Sequence, residues 1–368
     1  MRYMHYFESA NTFDVAYNGD EYHEPWVSLT MQNRDVHYNK NKEIPLKEMP
    51  LTFEVLSPGE LFFGHYSEGG SFSKTIEYSK NGGDWTSITS SLVTISEGEE
   101  PVIISGGTKI QVVSGDTIQF RGNNSAYSEL ENMGFSMFGS FNSRCKVKGN
   151  IMSLINSTDF TNLTTLESGG TFVSLFNLFV NLTDASELLL PATTLSDYCY
   201  ESMFSNCTSL TTAPELPATA LTEGCYENMF YSCGLTGAPA LPATTLAEWC
   251  YDSMFSDCTG LTSVPVNYLP VTTLTESCYS YMFRGCTNLT QAPELPATTL
   301  ANECYYYMFY GCSNLNYIKC LATDISATNC TSNWVNGVAS TGTFECPSST
   351  SWTTGNDGIP TNWTRVNA

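Results

Sequence analysis

The second half of the chain repeats one pattern of apolar and polar positions. Each repeat opens with Leu-Pro-x-x-x-Leu and then places apolar residues in the order Cys-Tyr, Met-Phe and Cys, with two variable residues between the groups. Degenerate copies extend the pattern on both sides, over roughly residues 151 to 345. Tandem repeats of this fidelity predict a solenoid of about seven coils. The five clearest repeats begin at Leu190, Leu216, Leu241, Leu269 and Leu295.

The spacing inside one repeat predicts a short helix followed by a short strand. At about 100° per residue, the apolar residues fall within one arc and the residues between them on the opposite side. This pattern indicates an amphipathic helical turn, or a short 3₁₀-like stretch, packed on a core. Residues 210–213, Leu-Thr-Thr-Ala, favour a brief strand that Pro214 would end, because proline has no amide hydrogen to donate. In the first clear repeat the apolar arc contains Cys199, Tyr200, Met203, Phe204 and Cys207.

Residues 46–148 predict β-structure of a different kind. Alternating or β-branched runs such as Thr-Phe-Glu-Val and Lys-Ile-Gln-Val-Val are separated by hairpin-turn sequences such as Asn-Gly-Gly-Asp. Short strands at this spacing indicate an antiparallel, immunoglobulin-like β-sandwich. We expect its last strands, near residues 135–148, to cover the first coil of the solenoid at 149–345, and residues 346–368 to cap the last coil. The predicted fold is therefore mainly β with short helices.

Residues 1–45 belong to neither pattern. They are rich in Tyr, His, Asn and charged residues, and they have an extended aromatic centre at Glu24, Pro25, Trp26 and Val27. One interpretation is a flexible tail. The other is an anchoring arm that pairs with another subunit or a larger assembly through these four residues. The segment lacks the pattern of a secretory signal, and no run of apolar residues approaches the length of a membrane-spanning helix, so we expect neither.

Most of the fourteen cysteines fall into two columns, one before and one after the Met-Phe pair of each repeat. Disulfide bonds of an extracellular domain would explain their number, whereas two ladders of buried thiols would explain their periodicity. The ladders are favoured, because columns arise from packing and each bridge needs its own pairwise geometry. A metal site is not expected, since no histidine follows His65 and no Cys-x-x-Cys pair exists. The expected core ladder contains Cys199, Cys207, Cys225, Cys233, Cys250, Cys258, Cys278, Cys286, Cys304 and Cys312.

The order Leu-x-x-Ala-Pro-x-Leu-Pro-x-x-x-Leu, followed by Met-Phe-x-x-Cys-x-x-Leu, resembles the BspA-like leucine-rich repeat, also called the Treponema pallidum type. In that family an Ala-Phe-x-x-Cys-x-x-Leu core recurs about every 23 residues. Here Met-Phe replaces Ala-Phe, and the upstream cysteine and the longer period are departures. The resemblance covers about half of the chain. It implies a leucine-rich-repeat solenoid, and for function it implies a scaffold that binds something without naming the partner.

The charge of the chain narrows the classes of partner. It carries 15 Lys and Arg against 37 Asp and Glu, and residues 149–368 contain 18 acidic and only 3 basic residues. We therefore expect no nucleic-acid partner and no insertion into a membrane. No phosphate-binding loop or nucleophile elbow occurs, so we expect no enzymatic activity and no cofactor. The recurring carboxylates are expected to form a solvated face: Glu201, Glu227, Asp252 and Glu303.

The exposed positions of the predicted short strands are the candidates for surface contact. Hydroxyl and amide side chains would line one face of the sheet, with Trp249, Tyr281 and Tyr306 nearby. Such a row suits glycans or polar protein surfaces, and a merely soluble face explains it equally well. The column of tyrosines that follow the first cysteines is expected to lie in the core. The candidate row contains Thr211, Thr212, Thr262, Ser263, Thr290, Gln291, Asn316 and Tyr317.

Two functions follow as expectations from the resemblance and the organisation of the chain. The repeats resemble those carried by gut Bacteroidales and their phages. This favours a virion surface protein, a head fibre or tail-associated adhesin, that attaches to other virion proteins through residues 1–45 and contacts a host-cell surface protein or glycan through its repeats. The alternative is a secreted bacterial cell-surface adhesin that binds host matrix or neighbouring cells. A homo-oligomer is expected in the first case.

Overall fold

The computed structural model describes residues 2–7, 12–17, 28–30, 44–67, 72–96, 104–129 and 134–368. Contacts divide the chain into two compact units, Met1–Pro45 and Leu46–Ala368. The first unit contains an antiparallel sheet in the order β1-β2-β3. Its strands are β1 (Arg2–Phe7), β2 (Thr12–Tyr17) and β3 (Ser28–Thr30). The predicted anchor at Glu24, Pro25, Trp26 and Val27 lies outside the described residues.

The second unit begins with two six-stranded sheets. In one, the strand order is β12-β13-β5-β8-β9, with β10 paired to β5. In the other it is β15-β14-β4-β11-β6-β7. The strands are β4 (Leu51–Val55), β5 (Gly59–Tyr66), β6 (Thr75–Lys80), β7 (Thr86–Thr89), β8 (Ser91–Ile95), β9 (Ile104–Gly106), β10 (Thr108–Val112), β11 (Thr117–Gly122), β12 (Ser128–Glu129), β13 (Gly134–Phe141), β14 (Cys145–Asn150) and β15 (Leu182–Leu189).

Phenylalanines join the two sheets in one apolar core. The ring of Phe138 on β13 lies 5.6 Å from that of Phe53 on β4 and 4.8 Å from that of Phe120 on β11. Buried and less buried residues alternate along β11, as expected for a strand with one face in the core. The β-rich content agrees with the sequence, and the immunoglobulin-like assignment stays a prediction.

The same core continues into the first coil of the repeat region. Strand β14 pairs in parallel with β15, and the amide of Phe138 donates to the carbonyl of Leu175 at 2.8 Å. The ring of Phe176 lies 6.0 Å from both Phe53 and Phe138. The prediction that the strands near residues 135–148 cover the first coil is confirmed. These contacts give the first coil hydrogen-bond partners, so its outer edge is not an unpaired strand edge.

The predicted helix of each repeat is wrong, because the segment is a ribbon of linked turns. The amide of Met203 donates to the carbonyl of Tyr200, three residues earlier, at 3.2 Å. The amide of the next residue, Phe204, donates to Met229 on the following coil at 2.9 Å. An α-helix would direct every amide four residues back within its own segment. Here every second amide donates to a carbonyl on the neighbouring coil. The turns therefore form the ladder of hydrogen bonds between coils that strands would form in a sheet.

Every fourth residue of this turn ribbon, defined as residues 198–207 and the equivalent segments of the other coils, is left-handed. Such residues occupy the third position of a turn, where a positive φ is required. In the clear repeats the four-residue period places a buried pair after the first and the second left-handed residue and a buried cysteine after the third, which reproduces the apolar arc that the sequence shows. The left-handed residues are Gly170, Ser174, Leu178, Tyr198, Ser202, Asn206, Gly224, Asn228, Ser232, Trp249, Ser253, Asp257, Ser277, Tyr281, Gly285, Glu303, Tyr307, Gly311, Asn329, Asn333 and Gly337.

The predicted brief strand of each repeat is also wrong for the central coils. Residues 210–213 have no strand structure, although the amide of Thr211 donates to the carbonyl of Thr183 at 3.2 Å. The proline at the end of each segment has no amide hydrogen, so it cannot donate a backbone hydrogen bond to a neighbouring coil. Within the described residues, regular strands return in a parallel sheet at the end of the chain. Its members are β16 (Tyr317–Lys319), β17 (Thr343–Cys346) and β18 (Thr364–Asn367).

Two stacks of aromatic rings run through the core of the coils. The tyrosine predicted to be buried in each repeat is buried, and Tyr200 and Tyr226 stack at 5.8 Å. A parallel stack of phenylalanines includes Phe230 and Phe255 at 5.9 Å. Both stacks end on Trp334. The remaining regular elements of the described chain are 3-10 helices at Leu46–Glu48, Ile151–Leu154 and Phe160–Asn162, and no described helix has the length and apolarity to span a membrane.

Candidate functional site

The polar side of the turn ribbon forms a cleft of about 550 Å³ across four consecutive coils. Between the buried pairs of each coil two residues point away from the core, and these positions stack from coil to coil. Two coils contribute small or acidic side chains, and the next two contribute large aromatic ones, so the surface has a step. The low side is lined by Glu227, Asn228, Asp252 and Ser253, and the high side by Tyr281, Arg284, Tyr307 and Tyr310.

The high side of the cleft is a cluster of tyrosine rings. Tyr281 and Tyr307 occupy the same position on neighbouring coils and stack with centroids 5.2 Å apart. Tyr310 packs against Tyr307 at 5.2 Å, and Tyr306 meets Tyr307 edge-on at 4.6 Å. Each ring is held by another ring, which limits its rotation and pre-organises an aromatic surface. Such a surface suits a sugar ring or a cation.

The low side of the cleft contains carboxyl groups that are half-buried, which corrects the expectation of a fully solvated face. Burial, together with the neighbouring carboxylates Glu201, Asp252 and Glu223, raises the pKa of Glu227 to about 8. Burial likewise raises the pKa of Asp252 to about 6 and raises that of Glu201. The physical cause is the cost of holding negative charges in a region with little water.

The basic residue of the cleft does not neutralise these carboxyls. Arg284 pairs with Asp257 on the preceding coil at 3.8 Å, and its guanidinium lies 6.0 Å from the centre of the Tyr310 ring. Neither Glu227 nor Asp252 takes part in an ion pair of the described residues. Asp252 accepts a hydrogen bond from the Ser253 hydroxyl at 2.6 Å, and Glu227 accepts one from the Asn228 amide at 3.3 Å.

The predicted contact row is exposed, and its threonines are joined from coil to coil. Thr290 donates through its amide to the carbonyl of Thr262 at 3.3 Å, and Asn316 donates to Thr290 at 3.1 Å. The hydroxyl of Thr211 donates to the Thr183 carbonyl at 3.2 Å. These hydroxyls keep their acceptor lone pairs for a ligand. The exposed members are Thr211, Thr212, Thr262, Ser263, Thr290, Gln291 and Asn316.

The aromatic residues expected near the row have other positions. Tyr317 is half-buried, and its hydroxyl donates to Glu345 at 2.6 Å. Trp249, Tyr281 and Tyr306 belong to the turn ribbon, before the row in each coil. The candidate residues therefore form two separate sets, a row of small polar side chains and a set on the turn ribbon. Trp249 is half-buried at a left-handed position of that ribbon.

All fourteen cysteines are buried with free thiols. The thiols of the second column donate to phenylalanine carbonyls of the preceding coil, as Cys207 does to Phe176 at 3.1 Å. Burial raises the pKa of Cys225 and of Cys278 to about 12, which keeps these thiols protonated and unreactive. Within the described part of the chain, no group of three or more His, Cys, Asp or Glu side chains is arranged to hold a metal ion.

Several residues that line the cleft together with Asp252 were not identified from the sequence, among them Arg284, Tyr307 and Tyr310. Aligning the repeats would have placed Tyr281 and Tyr307 in one column, because they follow their first cysteines by three residues. No pattern in the sequence indicates that Glu227 and Asp252 are half-buried. Their burial depends on how closely the neighbouring coils approach, which the sequence does not state.

The comparisons with known proteins agree with the repeat geometry. The family model of the BspA type leucine rich repeat region matches six copies, over residues 176–282 and 252–351. No curated protein and no solved structure matches the chain. Repeats of this family occur in surface-associated proteins of the adhesion type and are generally non-enzymatic. Since the matched residues coincide with the stacked coils, residues 176–351 of this chain form a BspA-type leucine-rich repeat region.

Proposed function

We propose that this protein is a non-enzymatic adhesin whose repeats contact a polar ligand on a cell surface. The cleft on the turn ribbon carries this proposal, because it combines a fixed aromatic surface with hydrogen-bonding carboxyl and amide groups. Binding sites generally combine a concave surface with a few polar groups that set orientation. The exposed row that includes Thr262 and Thr290 is a second candidate contact surface.

We further propose that the protein is carried on a bacteriophage virion, as a head fibre or tail-associated adhesin. Residues 1–45 would attach a homo-oligomer of it to other virion proteins, since they form a compact unit of their own. The solenoid would then contact a host-cell surface protein or glycan. A secreted bacterial cell-surface adhesin is the second candidate, favoured by the family match of the repeats.

Adhesion is tested with variants that copy residues from other coils. Asn occupies the position of Tyr307 in two further coils, at Asn228 and Asn333, so Tyr307→Asn keeps a side chain that the left-handed turn accepts. Full-length labelled protein is measured for binding to bacterial cells and to a glycan array. We expect Tyr307→Asn to lose binding and Ser202→Asn, at the same ribbon position outside the cleft lining, to retain it. Equal binding by both variants would assign adhesion to another surface.

The location on a virion has its own experiment. Mass spectrometry of purified phage particles is expected to detect this chain together with the capsid and tail proteins. Its absence from particles, together with an isolated monomer in solution, would exclude the virion assignment. Detection of the protein on washed bacterial cells would instead support the secreted adhesin.

A further inference from the structure

Acidic groups without a cationic partner face aromatic rings across the cleft. Glu227 and Asp252 line one side, and the stacked Tyr281 and Tyr307 line the other. We propose that the cleft binds the ammonium or guanidinium group of a lysine or arginine side chain on a partner protein. This inference rests on the proposed function, because it names the ligand chemistry of the same adhesion site.

The charged groups that shift the pKa of the two carboxyls are acidic. Glu201 and Glu223 act on Glu227, and Glu303 acts on Asp252. Arg284, the basic lining residue, is paired with Asp257. A cationic side chain entering the cleft would therefore find carboxyl groups that no cation of the described residues pairs with. The neutral hydrogen bonds from Asn228 and Ser253 do not compensate for charge.

The tyrosine rings give a second reason to expect a cation, independent of the carboxyls. A cation over an aromatic face is attracted by the negative face of the ring. The protein already shows such an arrangement at its surface, where Arg121 lies 4.0 Å above the Trp85 ring and pairs with Glu77 at 2.7 Å. The cleft offers the same two components, the rings of Tyr281 and Tyr307 and the carboxyls of Glu227 and Asp252. Its own basic residue, Arg284, lies near the Tyr310 ring and is paired with Asp257.

A neutral sugar would make a different set of interactions. It could stack on Tyr307 and exchange hydrogen bonds with Asn228, but it would not stabilise ionised carboxylates. Residues 149–368 contain 18 acidic and 3 basic residues, so their field attracts cations toward the cleft and repels anionic glycans. Both considerations favour a basic protein segment over a carbohydrate.

Proton release distinguishes these ligands. Glu227 has a pKa of about 8 in the free protein, because burial and the carboxylates Glu201, Asp252 and Glu223 disfavour its charge. A bound ammonium group favours the ionised form, so binding near neutral pH would expel a proton to the solvent. Lysine keeps its own charge up to about pH 10. Affinity should therefore increase as the pH rises from about 6 to about 9.

The test is calorimetric titration of the full chain with a capped tri-lysine peptide at several pH values, in buffers of different ionisation enthalpy. The control ligands are tri-(Nε-acetyl-lysine), which lacks the charge, a glucosamine trimer, which carries ammonium on a sugar, and a neutral N-acetylglucosamine trimer. The variants are Asp252→Asn and Tyr307→Asn. Glu215→Gln is the matched control, since it removes one exposed carboxylate elsewhere on the solenoid.

We expect tri-lysine to bind with proton release and with affinity that rises with pH, and the acetylated peptide not to bind. Asp252→Asn and Tyr307→Asn should each weaken binding by about tenfold, whereas Glu215→Gln should not. Binding that is unchanged in both cleft variants would overturn the inference. So would a preference for either sugar trimer over tri-lysine. If Tyr307→Asn abolishes adhesion to cells while tri-lysine does not bind, the adhesin function stands and only the ligand class falls.

Discussion

The thiol of Cys233 donates a hydrogen bond of 2.9 Å to the carbonyl oxygen of Phe204 on the preceding coil. The same carbonyl already accepts the amide of Cys207 at 3.1 Å, so the thiol uses its second lone pair. Equivalent thiol bonds recur at Cys258 and Cys286, with lengths of 3.0 and 3.1 Å. The second column of cysteines therefore supplies a small buried donor between coils, which explains why a thiol suits the position better than an alkyl group.

Replacing cysteines in the two columns should have different costs. Cys233→Ala removes both volume and a close hydrogen bond, whereas Cys250→Ala removes the same volume and only a contact of 4.0 Å to the Cys278 carbonyl. We expect Cys233→Ala to lower the free energy of unfolding by about 1 kcal/mol more than Cys250→Ala. Urea unfolding of the two variants measures the difference. Equal losses would show that the thiol acts only by filling space.

The thiols should also be inaccessible until the protein unfolds. All fourteen are buried and free, and burial holds the pKa values of Cys225 and Cys278 near 12, so the reactive thiolate is rare. We expect almost no reaction with a thiol reagent in the native state and fourteen alkylated cysteines after unreduced denaturation. The measurement is intact mass after alkylation. A smaller number of alkylated cysteines would reveal disulfides.

The left-handed positions of the turn ribbon predict that two kinds of substitution change the stability of the protein in opposite directions. Gly311 has a φ of 74°, and a Cβ there would make only ordinary contact with Gly285 at 3.8 Å, so Gly311→Ala tests backbone strain without a clash. We expect it to destabilise the protein by about 1 kcal/mol, and Glu303→Gly, at a φ of 51°, to stabilise it by a smaller amount. Thermal unfolding measures both.

A steric comparison separates strain from crowding. A Cβ on Gly285 would lie 2.0 Å from the Asp257 carboxylate, in addition to the strain of its φ of 68°. Gly285→Ala should therefore cost clearly more than Gly311→Ala. If the two alanine variants are equally stable, the side chain of Asp257 moves away without cost and the ribbon tolerates the added methyl group.

The sequence predicted the repeats and their buried residues but not the backbone that presents them. Buried pairs four residues apart fit a helix and a four-residue turn equally well over ten residues. The last left-handed position carried the distinguishing signal, because it holds only Asn, Ser, Asp or Gly in successive clear repeats. Tyr198, Trp249 and Glu303 concealed the equivalent signal at the first position. The cleft was less predictable still, since its half-buried carboxyls depend on the spacing between coils.

The raised carboxyl pKa values predict stability that falls with rising pH. The pKa of Glu227 is about 8 in the folded protein and has its ordinary value near 4.5 in the unfolded chain. The folded protein therefore holds this proton to a higher pH. The contribution of Glu227 to stability is thus fully present below pH 4.5 and is lost as the pH rises toward 8. We expect the Tm to decrease over this interval and Glu227→Gln to flatten the decrease. Glu215→Gln controls for the change in net charge, and a curve parallel to the wild type for Glu227→Gln would assign the effect to other carboxyls.

The final prediction concerns the ring that covers the end of both aromatic stacks. Trp352 stacks on Trp334 at 5.5 Å and is buried, while Trp334 donates through Nε1 to the Gly358 carbonyl at 3.0 Å. Trp352→Ala should lower the free energy of unfolding by about 3–5 kcal/mol. In a solenoid each coil contacts only its neighbours, so the loss should be local.

Hydrogen exchange measures where that loss appears. We expect Trp352→Ala to increase exchange in residues 320–346 first, and to leave β14 and β15 protected, because those strands are stabilised by the aromatic core of the first two sheets. Trp249→Ala provides the control, since Trp249 is half-buried on the turn ribbon and does not cover a coil end. Uniform loss of protection along all coils would mean that the repeats unfold as one cooperative unit, and would contradict a nearest-neighbour solenoid.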